Sequence, residues 1–313
     1  MKSYRIIFHL PMQNALAWDT IESEPAVFTN ILQRLGVKDT EVIELHTLDD
    51  LHPNSLPGVQ QVHGVIFLFK YIATPSHATP SPSDDSHGLY FANQTVHNAC
   101  ATQALVNLLL NSRESVDIGP LLGEFYEMTS ALDPISRGDA LAQHEAIRTI
   151  HNSFSPYFPI RSQLSAARPS SGADAFHYVT YFHAKGAIWE LDGLQQTPIR
   201  HTDCEASGWQ TALSLVLAQR IEMISAMDNG GIGFSLLAVI PDRVKVLHQS
   251  ILADDSTEAV YRPEIEQIGS ARDEDTRECI RRKHNYLPTL GALLRAMAAS
   301  GDLQTLVDQH NCG

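Results

Sequence analysis

The chain has 313 residues, 43% of them hydrophobic and 19% charged, enough for one large domain or for a domain with an appendage. Thirty-six acidic residues against 22 basic ones give a formal charge of −14. That balance excludes a phosphate-backbone binder as the first reading, and it suits either a basic partner surface or simple solubility. The four cysteines, Cys100, Cys204, Cys279 and Cys312, form no CxxC pair, so neither a zinc site nor a disulfide framework is expected. No stretch reaches about eighteen consecutive apolar residues, and the run before His9 and Pro11 is too short for a signal peptide. The expectation is an intracellular protein with no membrane span.

Residues 1–16 read either as a loose arm or as a short strand. From Trp18 to Leu35 an acidic turn leads into a helix, with Ser23 as cap, Pro25 in the first turn and Gly36 as stop. Glu41–Leu45 alternates and is a short strand. Val65-Ile66-Phe67-Leu68-Phe69 is a continuous β-branched and aromatic run, the pattern of a central strand buried on both faces. Thr74–Asp85 is rich in Pro, Ser and Asp and reads as a surface loop.

Gln94 to Asn111 brings a cysteine to the start of a strongly apolar helix. Asn98 is the expected N-cap, and Ala101, Ala104, Leu105, Leu108 and Leu109 follow helical spacing. A thiol in the first turn of such a helix sits at the positive end of its dipole, which favours the nucleophilic thiolate. Cys100 is therefore either a nucleophile or a small buried hydrophobe.

Gly119–Leu132 and Asp139–Asn152 read as helices, and Ser153–Asp174 as a long loop of the kind that often carries function. Phe176–Thr180 and Ala187–Leu191 form a hairpin, Trp209–Met227 a helix, and Phe234–Ile240 another buried strand. From Arg243 on, helix formers dominate, ending in a helix with Leu290, Leu293, Leu294 and Met297 at helical spacing. The fold class is α+β to residue 242, followed by a helical tail.

A cysteine nucleophile needs a base, and the base needs an orienting acceptor. His177 lies inside an apolar strand, where it is either a satisfied core histidine or that base. Asp192 ends the next hairpin strand, so antiparallel pairing sets it beside His177; otherwise it is a turn residue before Gly193. Gln94, six residues before Cys100, is either a surface residue or an oxyanion donor.

Gln94 with Asn98-Ala99-Cys100-Ala101-Thr102, then Phe176-His177, then Glu190-Leu191-Asp192-Gly193-Leu194, resembles the ubiquitin C-terminal hydrolase family of papain-like thiol peptidases. The order Gln, Cys, His, Asp and the fifteen-residue step from His177 to Asp192 match. So do Glu22-Ser23-Glu24-Pro25, the run Val62–Lys70 and His151-Asn152-Ser153-Phe154, and coverage extends from about Trp18 to the end. The resemblance implies a central, mostly antiparallel sheet flanked by helices. It divides the chain into an unassigned arm (1–16), a catalytic domain (17–242) and a helical extension (243–313). It implies Cys100 as nucleophile, His177 as base and then acid, Asp192 as orienting group and Gln94 as oxyanion donor, with no metal or cofactor. Residues near 153–174 match the family's crossover loop, which lies over the site.

The tail, from Arg281-Arg282-Lys283-His284 through Asn285-Tyr286-Leu287-Pro288, resembles that of the proteasome-associated branch. It implies docking to a ubiquitin-receptor subunit of the 19S particle through residues 281–313. Expected partners are ubiquitin conjugates and that receptor, with no nucleic acid and no membrane, in cytoplasm and nucleus. A chromatin-associated deubiquitinase using another adaptor and a catalytically silent ubiquitin-binding scaffold stay open as alternatives.

Overall fold

The computed structural model describes residues 17–70, 88–155, 176–227, 233–284 and 286–302. The 1–16 arm, the loop expected at 74–85, most of the loop expected at 153–174 and the end of the tail from 303 lie outside these.

Six strands form one antiparallel sheet: β1 (Thr40–Leu45), β2 (Gly64–Lys70), β3 (Phe176–Ala184), β4 (Ala187–Leu191), β5 (Ile199–Asp203) and β6 (Phe234–Pro241), in the order β1-β6-β2-β3-β4-β5. As the apolar run predicts, β2 is central, between β6 and β3, with Ile66 opposite Thr180 and Phe69 opposite His177. Its side chains alternate between two cores. Ile66 and Leu68 face one core, with Tyr178 and Phe182; Val65, Phe67 and Phe69 face the other, with Val179 and Tyr181.

The first core is covered by α1 (Pro25–Leu35), α2 (Cys100–Asn111) and α3 (Gly119–Thr129), with α4 (Pro134–Gln143) and α5 (Glu145–Asn152) following. The second is covered by α6 (Trp209–Met227), through Trp209, Leu213 and Leu217. Ten of the twelve α2 residues are buried, so this helix is an internal rod rather than an amphipathic surface helix. Each of its buried leucines contributes roughly 1.5–3 kcal/mol of transfer free energy. Gly64 lets α2 approach β2, because a side chain there would collide with Leu108. Thr180 then donates to the Ala104 carbonyl at 2.8 Å, tying α2 to β3.

Several local expectations change. α2 starts at Cys100 with Ala99 as flanking residue, and no side chain caps it. Asn98 instead has φ +64°, a left-handed conformation that asparagine tolerates, and donates from Nδ2 to the Trp18 carbonyl at 3.0 Å. Ser23 does not cap α1; Glu24 flanks the helix, and the Ser23 hydroxyl bonds the Tyr178 phenol. Gly36 ends α1 in the left-handed region, as expected. The helix expected over 139–152 is two helices, because His144 leaves helical geometry between α4 and α5. The β3–β4 hairpin is longer than expected and turns through Lys185 and Gly186, both at positive φ. β5 has no counterpart in the sequence reading, since Ile199–Asp203 is a mostly polar edge strand with no apolar alternation.

The tail consists of α7 (Arg243–Ala253), α8 (Glu258–Lys283) and α9 (Leu287–Ser300). α8 rests against the β1 edge of the sheet through the buried Glu41. That carboxylate accepts from Arg243 Nε at 2.8 Å and from Arg272 at 2.9 Å. Farther along, Arg282 pairs with Glu22 and Glu24 before α1. No described helix is long and apolar enough to cross a membrane.

Candidate active site

The buried rod α2 begins where β3 begins and β4 ends, and that junction gathers the titratable groups. Cys100 is the first residue of α2 and is half-buried. His177 is the second residue of β3 and is buried. Asp192 follows directly on β4 and is buried as well. Hairpin register brings the last two together: Thr180 faces Leu191, so the chain past β4 runs back toward His177.

His177 Nε2 donates to Asp192 Oδ1 at 2.6 Å, and His177 also shares a hydrogen bond with Cys100. With Nε2 committed to the carboxylate, Nδ1 is the nitrogen left for the thiol. Burial works against a charged ring, but the hydrogen bonds and charges of Asp192 and Cys100 outweigh it and push His177 up to about 9. Burial likewise opposes the Asp192 carboxylate. His177, the Leu194 N–H at 2.9 Å and Gln195 together hold its pKa below the usual value. Asp192 is thus both a turn residue and the histidine's acceptor; the two readings of it were never exclusive.

Gln94 stands on the extended segment leading into α2. Its backbone N–H donates to the Gly193 carbonyl at 2.8 Å, one residue beyond Asp192. Gly193 permits this contact, since a Cβ there would lie 3.1 Å from the Gln94 Cβ. The Gln94 amide donates to the Val96 carbonyl at 3.1 Å through one Nε2 hydrogen, and an amide has a second. The four residues singled out in the sequence therefore fall into a hydrogen-bonded trio, Cys100, His177 and Asp192, with Gln94 on the neighbouring segment.

Sequence reasoning missed the supports around them. Asn93 donates to the Gly193 and Gln195 carbonyls, at 3.3 and 2.5 Å, stitching the Gln94 segment to the Asp192 turn. Its position beside Gln94 was the available signal. Phe69 and His177 pack edge to face, with centroids 5.9 Å apart, and the Arg220 guanidinium lies over the Phe69 ring. Thr102, two residues after Cys100, donates to His151 Nδ1 at 2.7 Å, while His151 Nε2 donates to the Asp19 carbonyl at 2.7 Å. Burial lowers the His151 pKa to about 4, so that ring stays neutral and holds the first turn of α2 in place. Burial and then charge at Cys100 push the Tyr178 phenol well above its ordinary value. Among fifteen histidines, nothing in the sequence distinguished His151 as a buried support.

A thiol, an imidazole and a carboxylate linked in series on an α+β scaffold define the papain-like class of thiol hydrolases. Residues 18–222 match the model of ubiquitin carboxyl-terminal hydrolase family 1, and residues 270–303 match a further ubiquitin carboxyl-terminal hydrolase model that covers the tail. The chain belongs to ubiquitin carboxyl-terminal hydrolase family 1, a family of cysteine peptidases. It is 36% identical over 310 residues to the Caenorhabditis elegans ubiquitin carboxyl-terminal hydrolase ubh-4, covering 95% of this chain and 92% of that protein. It is 32% identical to the Dictyostelium discoideum isozyme L5, covering 93% of this chain and 94% of that protein. Trichinella spiralis UCH37, solved bound to ubiquitin vinyl methyl ester, superposes with a TM-score of 0.60 at 32% identity, covering 85% of this chain and 99% of that one.

Proposed function

We propose that Cys100, His177, Asp192 and Gln94 hydrolyse the bond after the C-terminal glycine of ubiquitin. The hydrogen-bonded series Cys100–His177–Asp192 carries this reading. The Cys100 thiolate adds to the glycine carbonyl carbon, and the resulting oxyanion is received by the Gln94 amide and the Cys100 backbone N–H at the helix start. His177, charged at neutral pH, gives its proton to the leaving amine as the carbon–nitrogen bond breaks. Water then attacks the thioester, His177 takes the water's proton, and the Cys100 sulfur leaves. Asp192 holds the ring orientation and stabilises its charged form.

Hydrolysis of a fluorogenic ubiquitin conjugate tests the division of roles. Cys100→Ala and His177→Ala lose nearly all turnover, on the order of ten-thousandfold, while Asp192→Asn keeps a measurable fraction. Equal losses for His177 and Asp192 contradict that division.

The tail reading belongs to the same proposal: residues 281–313 dock on a ubiquitin-receptor subunit of the proteasome, which places the enzyme in cytoplasm and nucleus. The family match at 270–303 and the exposed Leu290, Leu293 and Leu294 of α9 support it. Deleting 281–313 abolishes co-purification with proteasomes if this holds; retained co-purification moves the docking site elsewhere.

A further inference from the structure

Beyond Cys100 and Thr102 in its first turn, α2 is apolar except for three amides, Gln103, Asn107 and Asn111, at successive i, i+4 positions. Gln103 and Asn107 are buried, where an amide is costly unless its partners are in place. Their partners lie in the segment that precedes Gln94, apart from the Asn107 carbonyl, which also accepts from Asn111 Nδ2 at 2.7 Å. Asn111 accepts from the Tyr90 N–H at 2.9 Å and donates to the Tyr90 carbonyl at 2.7 Å. Asn107 does the same at Ala92, accepting at 2.9 Å and donating at 3.2 Å. Each asparagine thus imitates one residue of a neighbouring strand. Gln103, with the longer side chain, reaches the same Ala92 carbonyl at 2.6 Å.

The two periods match. Residues i and i+4 of a helix are about 6 Å apart along its axis, and residues i and i+2 of a strand about 6.6 Å. The side chains of a helix can therefore serve as the edge of a sheet for a segment running antiparallel to it: 111 with 90, 107 with 92. The next rung in that series falls at 103 and 94. There the backbone N–H of Gln94 is taken by Gly193, whose Cβ position lies 3.4 Å from Gln103 Nε2.

We propose that Gln103, Asn107 and Asn111 are positioning residues that fix the register of the Tyr90–Gln94 segment on α2 and thereby aim the Gln94 amide. The helix that carries the nucleophile then also gauges the oxyanion donor, so the two move as one body. A slip of one residue would turn Gln94 to the opposite side of its segment. This inference rests on Gln94 being the oxyanion donor, and the test separates the two ideas.

The test uses the full chain and a fluorogenic ubiquitin conjugate, with Gln103→Met and Asn107→Ser each made in the wild-type and Gln94→Ala backgrounds. Gln103→Met preserves volume and leaves Asn107 on the Ala92 carbonyl, so it decides the matter should Asn107→Ser fail to fold. Each variant is expected to lower kcat about tenfold, a fraction of the roughly hundredfold loss from removing the donor itself, with KM within about twofold. In the Gln94→Ala background the same substitutions cost less than about twofold, because they act through a group already removed. The rate of iodoacetamide alkylation at Cys100 stays unchanged. Equal fold losses in both backgrounds, a slowed alkylation, or unaltered kcat in the wild-type background overturns the proposal. Full kcat in Gln94→Ala alone overturns the donor assignment, and the positioning role with it.

Discussion

The helix that begins at Cys100 and the long helix of the tail are held to the same sheet by different means. α2 has ten buried residues in twelve and no Asp, Glu, Lys or Arg. α8 runs 26 residues; among its described side chains Ile268 is the one fully buried, Cys279 packs partly buried on the first core, and Arg272 meets the sheet edge at Glu41, a carboxylate shared with Arg243 of α7. Dispersion and apolar burial are neither screened by simple salt nor titrated, whereas ion pairs near a surface respond to both salt and pH. The packing of α2 is therefore largely independent of ionic strength and pH. Attachment of the tail to the sheet depends on its surroundings. The difference suits the proposed roles, a site whose geometry must be constant and a tail that docks on a partner.

Cutting into α2 gives the largest effect expected of the comparison. Leu108→Ala removes a fully buried side chain packed over Gly64 and lowers global stability by roughly 4 kcal/mol, read from urea unfolding at low and high salt alike. A salt-dependent difference between wild type and variant would mean that charge contributes to holding α2.

The catalytic pair supplies the next effect. The His177 pKa is about 9 in the folded chain against an ordinary 6.5, so its stabilising contribution is complete below pH 6.5 and is lost as pH rises through 9. Unfolding midpoints compared at pH 6.5 and 9.5 should fall by an amount equivalent to on the order of 3 kcal/mol in the wild type. His177→Asn should show a correspondingly smaller decline; an identical decline in both would remove the ion-pair account.

The tail clamp gives the smallest change, and the most local one. Glu41→Gln keeps hydrogen bonding but removes the charge facing Arg243 and Arg272. It should loosen α8 by about 1–2 kcal/mol, seen as faster amide exchange in α8 with exchange in α2 unchanged. Arg282→Ala, at an exposed pair, should cost less than about 1 kcal/mol and vanish in high salt. Equal acceleration in α2 and α8 would show that the two helices unfold together.

The pairing of His177 with Asp192 was legible because a hairpin is a local device. His177 and Asp192 sit on consecutive strands, and antiparallel pairing leaves little freedom for where the second lands. The central strand was legible for a similar reason: a run such as Val65–Phe69 has no solvent face to offer. What escaped depends on partners far along the chain. The polar edge of β5 and the break at His144 carry no periodic signal. Asn98 looked like a cap until Trp18, eighty residues earlier, was seen to claim its amide. The buried amides of α2 interrupt an apolar helix without naming their partner, which is a stretch of backbone. Glu41 and Arg272 are 231 residues apart, and no sequence pattern pairs them.

The central claim is that one cysteine, at the start of the buried helix, is the nucleophile. Treating the full chain with ubiquitin vinyl methyl ester and mapping the adduct by mass spectrometry tests it directly. The account predicts a single adduct on Cys100 that disappears in Cys100→Ala. An adduct on Cys204, Cys279 or Cys312, or undiminished labelling of Cys100→Ala, would contradict it.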